Sequence, residues 1–598
     1  MPHAISIYSI ELSVSATVIL VVATTYFAYK RYFSVPTLES AKKIVVPVPD
    51  EAQPHWKGKR LSPISIRNAA HPDFIQSYCP ATGQHLGQFK STTSAEIDAA
   101  IEAAGVAQKE WAHTTFAARR QVLRTLSDYI LKNQASIARV ACRDSGKTMV
   151  DASMGEILVT LEKANWIIKY GEKTLRVSRR PGAANPLMGY KGAEVRYEPM
   201  GVVASMVSWN YPFHNLMGPV LAAIFTGNAI VVKCSEQVVW SSQYFIEIIK
   251  MALKVCGHDP SLVQLVCCWP EDADHLTAHP QLAHITFIGS KPVAHHVLAA
   301  AAKTLTPVVV ELGGKDALIV LDDVASIADI SSIVMRGTFQ SLGQNCIGIE
   351  RVIAVGKAYD ALVDTLAQRI PKLRLGSDID QLEGIDMGAL ISNNRFAHIE
   401  TLVERAVAQG ARLVCGGAAY QHPNYPQGHY FEPTLLVDVL LHMEIAQEEV
   451  FGPVCVVMRA DSAAHAVTLA NNTPFGLGAS VFGGNWNKCN EIANQLRAGN
   501  VAINDFATYY LCQLPFGGVG GSGYGKFGGE EGLLGLMVAK SVCYDRLPGI
   551  KTKIPAPLDY PIASDARAWG FVEGLNRAGY DGSLWGKWKG LRGLIKNA

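Results

Sequence analysis

Two kinds of hydrophobic pattern alternate along the chain. Apolar side chains recur every three or four positions from about residue 93 to 133, which predicts helix. Short apolar and β-branched runs follow, such as GVVASMV at 201–207 and AIVVKCS at 229–235, and helical patterns separate them. Strands that lack apolar–polar alternation are typical of parallel sheets whose faces are both covered. This part of the chain therefore predicts an α/β fold.

The same alternation resumes in the second half of the chain. RVIAVG at 351–356 and RLVCGG at 412–417 have the composition of strands, and segments 359–370 and 396–410 have the period of helices. We expect two α/β lobes in succession. Ligands of such sheets bind outside the carboxyl ends of the strands, so the loops after the strands should carry the functional residues.

The N-terminus differs from the rest of the chain, because residues 12–29 carry no charge and Lys30 and Arg31 follow. This length is close to the lower limit for a membrane-spanning helix. The absence of a basic start and of a small-residue cleavage site disfavours a signal peptide, and a buried core helix is the other alternative. The sequence predicts an uncleaved single-pass anchor with the body in the cytosol, and the endoplasmic reticulum is the default membrane.

Composition excludes some classes of function. A net charge of +2 over 598 residues disfavours nucleic-acid binding through bulk charge. The 12 cysteines are scattered and form no CxxC pair. We therefore expect reduced thiols and no metal site.

Polar residues follow several of the predicted strands. Asn210, in SWNYP, could direct a neutral N–H donor at an oxyanion, although an ordinary turn asparagine is the simpler interpretation. Lys233 and Glu236, in VVKCSEQ, could bind the hydroxyls of a ribose or form a solvated ion pair. Gly289 and Ser290 precede a predicted helix, a position that favours phosphate but is common in α/β folds.

Three later segments are more distinctive. In VVVELGGKD, Glu311 follows a strand next to two glycines, where a partly buried carboxylate can act as a general base. In FQSLGQNCIG, Cys346 follows a predicted helix, but a free cysteine is more often a packed apolar residue than a nucleophile. Segment 514–532 is rich in glycine yet contains Phe516 and Phe527, so we expect an ordered loop close to a ligand.

These segments together resemble the aldehyde dehydrogenase superfamily from roughly residue 60 to 546. The motifs occur in the family's order: SWNYP, VVKCSEQ, FIGS, ELGGKD, GQNC, EEVFGP, Asn504–Asp505 and PFGGVGGSGYGKFGG. Each motif alone is only suggestive, whereas the ordered set is specific. One departure is the phosphate turn, which usually reads Gly-Ser-Thr-x-x-Gly and here is GSKPVA, with Lys291 and Ala294 in place of Thr and Gly.

The resemblance implies catalytic roles for three residues. Cys346 would attack the aldehyde as a thiolate, and Asn210 with the Cys346 backbone N–H would bind the oxyanion of the thiohemiacetal. After hydride transfer, Glu311 would activate the water that hydrolyses the thioester. The presence of Glu311 favours hydrolysis to a carboxylic acid over acyl transfer to coenzyme A.

The resemblance also implies NAD as the cofactor. Lys233 and Glu236 would bind the adenine-side ribose, and the Glu236 carboxylate would repel the 2′-phosphate of NADP. Ser290 would contact the pyrophosphate, and Glu449 the nicotinamide ribose. The complete set of expected cofactor-binding residues is Trp209, Lys233, Glu236, Gly289, Ser290, Gly313, Glu449 and Phe451.

The domains that the resemblance implies are a Rossmann-type nucleotide-binding domain, a catalytic domain and a small β oligomerisation element of a homodimer or homotetramer. The expected boundaries are 1–11 for a lumenal stub, 12–29 for the anchor, 30–60 for a proline-containing linker, 61–180 and 198–313 for NAD binding, 314–530 for catalysis, 181–197 and 534–546 for oligomerisation, and 547–598 for a C-terminal extension. The tryptophans and cations near the C-terminus suit either a membrane interface or a tail packed on the body.

We therefore predict a membrane-anchored, NAD-dependent aldehyde dehydrogenase that acts on a small-molecule aldehyde. The anchor is the only feature that indicates a lipid-derived or long-chain substrate. The alternatives are a semialdehyde-specific or acylating dehydrogenase, and a non-catalytic membrane scaffold with the same fold.

Overall fold

The computed structural model describes residues 39–379, 383–506, 508 and 510–598. The expected lumenal stub and membrane anchor, residues 1–11 and 12–29, lie outside the described residues. Within the described ranges, no helix has both the length and the apolar character that a membrane span requires.

A parallel sheet with one antiparallel edge forms the first lobe. Its strands, in spatial order within the described residues, are Gly523–Tyr524, Val308–Glu311, Leu282–Ile288, Val202–Met206, Ala229–Lys233 and Val263–Val266. The first pair is antiparallel and the others are parallel. Every residue of the strands Val202–Met206 and Ala229–Lys233 is buried, as their continuous apolar sequence predicts.

A second, wider sheet forms the other lobe. Its strands, in spatial order within the described residues, are Arg412–Cys415, Thr434–Val437, Val454–Ala460, Arg351–Val355, Ala317–Val320, Gly478–Phe482 and Asn500–Ile503. Only the first pair is antiparallel. The strand Arg412–Cys415 lies at the edge and is partly exposed, whereas Arg351–Val355 is central and fully buried. The two predicted α/β lobes are confirmed.

Antiparallel strands complete the sheet structure. A three-stranded sheet has the order Met537–Asp545, Lys191–Pro199 and Ser178–Arg180. Within the described residues, Met537–Asp545 is paired on one side only, so its other side is an open sheet edge. The remaining strand pairs are Phe74–Tyr78 with His85–Lys90 and Ala419–Tyr420 with Tyr430–Phe431.

Helices cover the faces of the two large sheets. The long helical pattern near the N-terminus forms two helices, because Thr93 and Thr115 each cap a helix start with a side-chain oxygen. The α-helices described are Ser94–Trp111, Phe116–Lys132, Gln134–Ser145, Met149–Ala152, Val159–Thr174, Pro212–Phe225, Val239–Val255, Ala273–Thr277, Lys291–Ala302, Ile327–Phe339, Lys357–Arg369, Phe396–Ala408, Ala463–Asn471, Trp486–Ala493, Gly529–Leu534, Asp565–Tyr580 and Leu584–Asn597.

Residues 39–60 pack against the first lobe, although their prolines and charges favoured a linker. Ile44 and Val46 are buried in the core of that lobe. The Arg120 guanidinium donates to the Glu39 carboxylate at 2.8 Å, and both side chains are largely buried. The alternating apolar positions in KKIVVPV bury one side of the segment, and this short pattern is easily missed between prolines.

The C-terminal extension ends in a helical hairpin of Asp565–Tyr580 and Leu584–Asn597. Glycines let the two helices approach closely, since a Cβ at Gly574 would lie 2.7 Å from the Leu594 backbone nitrogen. The side chains of Trp585 and Trp588 stack with ring centroids 5.0 Å apart and remain exposed to solvent.

Candidate active site

Parallel strands of the first lobe end at one edge, and each end carries residues that the sequence singled out. Lys233 and Glu311 are the last residues of their strands. The two strands that lie between them are followed by the pairs 209–210 and 289–290. Because these strands point the same way, the six residues meet along one crevice.

The amide of Asn210 is fixed on both sides. Its Oδ1 accepts hydrogen bonds from Ser208 Oγ at 2.7 Å and from Asn215 Nδ2 at 3.3 Å. Its Nδ2 donates to the backbone carbonyl of Gln344 at 3.1 Å. The donor end of the amide therefore faces the loop that carries Cys346, as an oxyanion-binding group must.

A buried ion pair supports the backbone beside Asn210. Lys147 Nζ lies 2.7 Å from Glu156 Oε1 and donates to the Asn210 carbonyl at 2.6 Å. Glu156 Oε2 also accepts from the backbone nitrogens of Phe213 at 2.6 Å and His214 at 3.3 Å. These are unsatisfied N–H groups at the start of the helix Pro212–Phe225, so the carboxylate binds where the helix dipole favours an anion.

The loop before Cys346 has a strained backbone. Ser341, Leu342 and Gly343 have φ angles of 52°, 58° and 70°, a left-handed conformation that costs non-glycine residues roughly 1–3 kcal/mol each. The Asp151 carboxylate stabilises this conformation by accepting from the Ser341 backbone nitrogen at 2.9 Å. The surrounding contacts thus set the position of the cysteine.

Cys346 and Glu311 interact with each other across the crevice. Burial, followed by the nearby Glu311 charge, raises the pKa of the Cys346 thiol well above its ordinary value. Burial also raises the pKa of Glu311 to about 7, against a smaller lowering by the Cys346 thiol. Glu311 Oε1 is buried and makes no hydrogen bond to any described residue. A carboxyl group with one unbonded oxygen and a pKa of about 7 is suited to general-base chemistry.

A cavity of about 760 Å³, including the open space at its mouth, has both groups in its wall. Polar groups lie at Glu311, Cys346, His214 and Lys163. Uncharged polar groups lie at Asn215, Asn345, Asn500 and Thr508, and the apolar and aromatic side chains of the wall are Tyr211, Ile288, Ile347, Leu511, Leu514, Phe516 and Phe527. Phe516 and Phe527 belong to the glycine-rich segment, which was expected to form an ordered loop near a ligand.

Lys233 and Glu236 form the polar pair that the sequence suggested. Lys233 Nζ lies 2.6 Å from Glu236 Oε1, and both side chains are largely buried. Ser290 precedes the helix Lys291–Ala302 and makes no capping hydrogen bond, so its hydroxyl is not used by the helix start. At Gly289, a Cβ would lie 2.7 Å from the Phe287 ring, so any larger residue would require that ring to move.

The other expected cofactor residues lie on the side of the crevice that faces the second lobe. The rings of Trp209 and Phe451 meet edge to face with centroids 5.7 Å apart. Glu449 Oε1 accepts from the Gly314 backbone nitrogen at 2.9 Å. A Cβ at Gly313 would collide with the Glu449 carboxylate, so glycine at this position makes room for it.

Comparison with known proteins decides the family. The profile of the aldehyde dehydrogenase family matches residues 66–542. The chain belongs to this family. An aldehyde dehydrogenase-like protein of Saccharomyces cerevisiae is 61% identical over 564 residues, which are 93% of this chain and 88% of that protein.

Solved structures confirm the α/β aldehyde dehydrogenase fold. A Mycobacterium tuberculosis aldehyde dehydrogenase complexed with NAD+ is similar to this chain with a TM-score of 0.73 and 29% identity, over 80% of this chain and 96% of that one. An Escherichia coli NADP-dependent enzyme has a TM-score of 0.73 and 27% identity, over 79% and 95% of the two chains. A protein that binds NAD+ and an NADP-dependent enzyme therefore share this fold.

The sequence alone missed the supporting residues of this aldehyde dehydrogenase. Lys147, Glu156 and Asp151 are buried and charged, and each orients the backbone of a predicted site loop. A signal was present at Glu156, which interrupts an apolar stretch in a π-helical turn, Ser153–Leu158. In the part of the chain that the structure describes, no group of three His, Cys, Asp or Glu side chains is placed to hold a metal ion.

The raised pKa of Glu311 predicts a pH-dependent hydrolysis step. Below about pH 7 the carboxyl group is neutral and cannot accept a proton from water, so the deacylation rate should rise with pH and level off above that value. Steady-state turnover, with the initial burst of reduced cofactor recorded separately, measures this step. Glu311→Gln should lose this pH-dependent rise, and an unchanged rise in that variant would contradict the assignment.

Proposed function

We propose that this aldehyde dehydrogenase oxidises an aldehyde to the carboxylic acid with NAD, through a thiohemiacetal and a thioester on Cys346. The observation that carries the proposal is the arrangement around the cavity. The Asn210 amide bonds to the Cys346 loop, and the Glu311 carboxyl interacts with the thiol itself. The chain thus combines a nucleophile and a base in one cavity wall with an oxyanion donor bonded to the loop of the nucleophile.

The first half of the reaction forms and oxidises a carbon–sulfur adduct. Glu311 is close enough to take the thiol proton, and the Cys346 sulfur then bonds to the aldehyde carbon as the carbonyl π electrons move to oxygen. Asn210 Nδ2 is oriented to donate to that oxyanion. A bound nicotinamide ring would supply the acceptor for the hydride that leaves the adduct carbon, and collapse of the oxyanion would then leave a thioester on Cys346.

The second half releases the acid. Glu311 first releases the thiol proton to solvent. It then takes a proton from water, the water oxygen bonds to the thioester carbon, and the carbon–sulfur bond breaks, with the proton returning to the departing Cys346 sulfur. The oxyanion of this step falls at the same Asn210 donor. Water needs a base with a pKa near the working pH, and burial gives Glu311 a pKa of about 7. The pKa of Glu311 therefore supports hydrolysis of the thioester over transfer of its acyl group to coenzyme A.

The residues expected to bind the dinucleotide fit such a ligand. Lys233 and Glu236 lie after a parallel strand, where a ribose is bound in doubly wound sheets, and Glu236 presents a carboxylate that disfavours a 2′-phosphate. Gly313 makes room for the Glu449 carboxylate beside the expected nicotinamide ribose. These features support NAD rather than NADP, and Glu449 would contact the nicotinamide ribose beside Phe451.

Membrane association and oligomerisation are further parts of the proposal. The uncharged segment 12–29 supports an N-terminal anchor in the endoplasmic reticulum membrane with the catalytic body in the cytosol, and an anchored enzyme suits lipid-derived or long-chain aldehydes. Exposed Trp585 and Trp588 beside four cations suit contact with the same surface. The open edge of Met537–Asp545 supports assembly into a homodimer or homotetramer.

Removing the nucleophile or the oxyanion donor tests the reaction. With a panel of aldehydes and NAD, Cys346→Ala should abolish NADH formation, and Asn210→Ala should lower turnover by about 100- to 1000-fold. Cys415→Ala is the matched control, because Cys415 is also a partly buried free cysteine but lies on an edge strand. Turnover that survives in Cys346→Ala would disprove the mechanism.

Replacing the acidic residue of the ribose pair tests the cofactor. Glu236→Gln removes the charge that repels a 2′-phosphate, so the ratio of kcat/KM with NADP to that with NAD should rise by about tenfold or more. The control is Glu247→Gln, which neutralises an exposed glutamate on the helix Val239–Val255. Equal use of both cofactors by the wild type would overturn the preference.

Extraction of membranes tests the anchor. After treatment with alkaline carbonate, the full-length protein should remain in the membrane pellet and a variant lacking residues 1–38 should be released. Release of the full-length protein would rule out a spanning anchor. Liposome binding by the shortened protein, with and without residues 583–598, then isolates the contribution of the C-terminal helix.

A further inference from the structure

Lys163 is a buried lysine in the wall of the active-site cavity. It lies on the helix Val159–Thr174, is 8% exposed, and lines the same cavity as Cys346. Its Nζ donates to the backbone carbonyl of Phe527 at 3.0 Å. An ammonium group has three N–H donors, so one acceptor leaves most of its bonding capacity unused.

Two other buried lysines show what is unusual about Lys163. Lys147 and Lys315 each lie 2.7 Å from a buried carboxylate, that of Glu156 and that of Glu350 respectively. Among the described residues, no carboxylate lies within ion-pair distance of Lys163. A buried cation without a counter-ion is costly, so such a site is suited to a ligand that brings the negative charge.

The groups around Lys163 do not replace that charge. Burial lowers the pKa of His214 to about 3, so the ring is neutral, and burial raises the pKa of the Cys512 thiol to about 11. Burial lowers the pKa of Lys163 to about 8, which leaves the side chain mainly cationic at pH 7. The cavity therefore contains a positive group that is not neutralised by its neighbours.

The other residues of the cavity wall indicate what kind of ligand could contact both Lys163 and Cys346. Apolar side chains, among them Ile288, Ile347, Leu514 and Phe516, line the cavity that both groups share. A ligand that extends from the thiol to Lys163 along these apolar side chains has an aldehyde at one end, an apolar chain and an anion.

We propose that Lys163 binds a carboxylate at the end of the substrate opposite the aldehyde, so that the preferred substrates are ω-oxo carboxylates with an aliphatic chain. The inference rests on the proposed oxidation at Cys346 and specifies its substrate class. The carboxylate would accept charge-assisted hydrogen bonds from the N–H groups that Phe527 leaves unused.

A comparison of paired substrates tests this inference. The kcat/KM of each ω-oxo carboxylate, over a series of chain lengths, is divided by that of the n-alkanal with the same number of carbons. Lys163→Met keeps the length of the side chain and removes the charge, and it should lower this ratio by roughly 10- to 100-fold while leaving the alkanals little changed. Lys163→Arg should retain most of the preference, because the charge remains.

Lys526→Met is the matched control. Lys526 Nζ also donates to a backbone carbonyl of the glycine-rich segment, that of Gly517 at 2.6 Å, but Lys526 does not line this cavity. The substrate ratio should be unchanged in this variant. If Lys163→Met fails to fold, Lys163→Gln removes the charge and still offers an N–H to the Phe527 carbonyl.

Binding of unreactive acids separates this inference from the proposed reaction. Calorimetry should show that an aliphatic dicarboxylate binds more tightly than the monocarboxylate of equal length, and that Lys163→Met removes the difference even if no aldehyde is oxidised. Two results would contradict the inference: equal affinity for the two acids, or a loss of kcat/KM in Lys163→Met that is equal for ω-oxo carboxylates and alkanals. Either result would mean that Lys163 serves only as a structural contact with Phe527. Failure of every aldehyde despite selective dicarboxylate binding would instead overturn the oxidation at Cys346.

Discussion

The carboxylate of Glu156 is the contact on which the geometry of the site most depends. It accepts from Lys147 Nζ and from two backbone N–H groups at the start of the helix Pro212–Phe225, while Lys147 also binds the Asn210 carbonyl. One buried anion thus fixes the loop and the helix that follows it. Removing one member of a buried pair typically costs about 3–5 kcal/mol, because the other charge stays buried and unpaired.

The loop that carries Gln344 and Cys346 links the two lobes. Asn210 bonds to the Gln344 carbonyl, and the Gln344 side chain accepts from the Ile391 backbone nitrogen at 3.0 Å. The loop that carries Cys346 is therefore connected on one side to the first lobe and on the other to the second lobe. Its left-handed backbone persists because these contacts, together with the Asp151 carboxylate, leave no room for relaxation.

Local sequence patterns predicted much of this structure, but they did not predict contacts between residues that are far apart in the sequence. The buried strands Val202–Met206 and Arg351–Val355 follow from continuous apolar runs, and the chemistry at their ends follows from sheet topology. Lys163 could not be recognised, because a lysine in an amphipathic helix usually faces solvent and its burial depends on the glycine-rich segment far along the chain. The role of the ion pair of Lys147 and Glu156 could not be predicted either, because it depends on a contact with the Asn210 loop, which is distant in the sequence.

The raised pKa of Cys346 has a consequence for how the protein withstands oxidants. Peroxides and other electrophiles react with thiolates, and burial together with the Glu311 charge keeps this sulfur protonated. A protonated thiol reacts slowly with such reagents, so the same burial protects Cys346 from oxidation. In the proposed reaction, the thiolate would form only as its electron pair bonds to the aldehyde carbon and Asn210 binds the oxyanion.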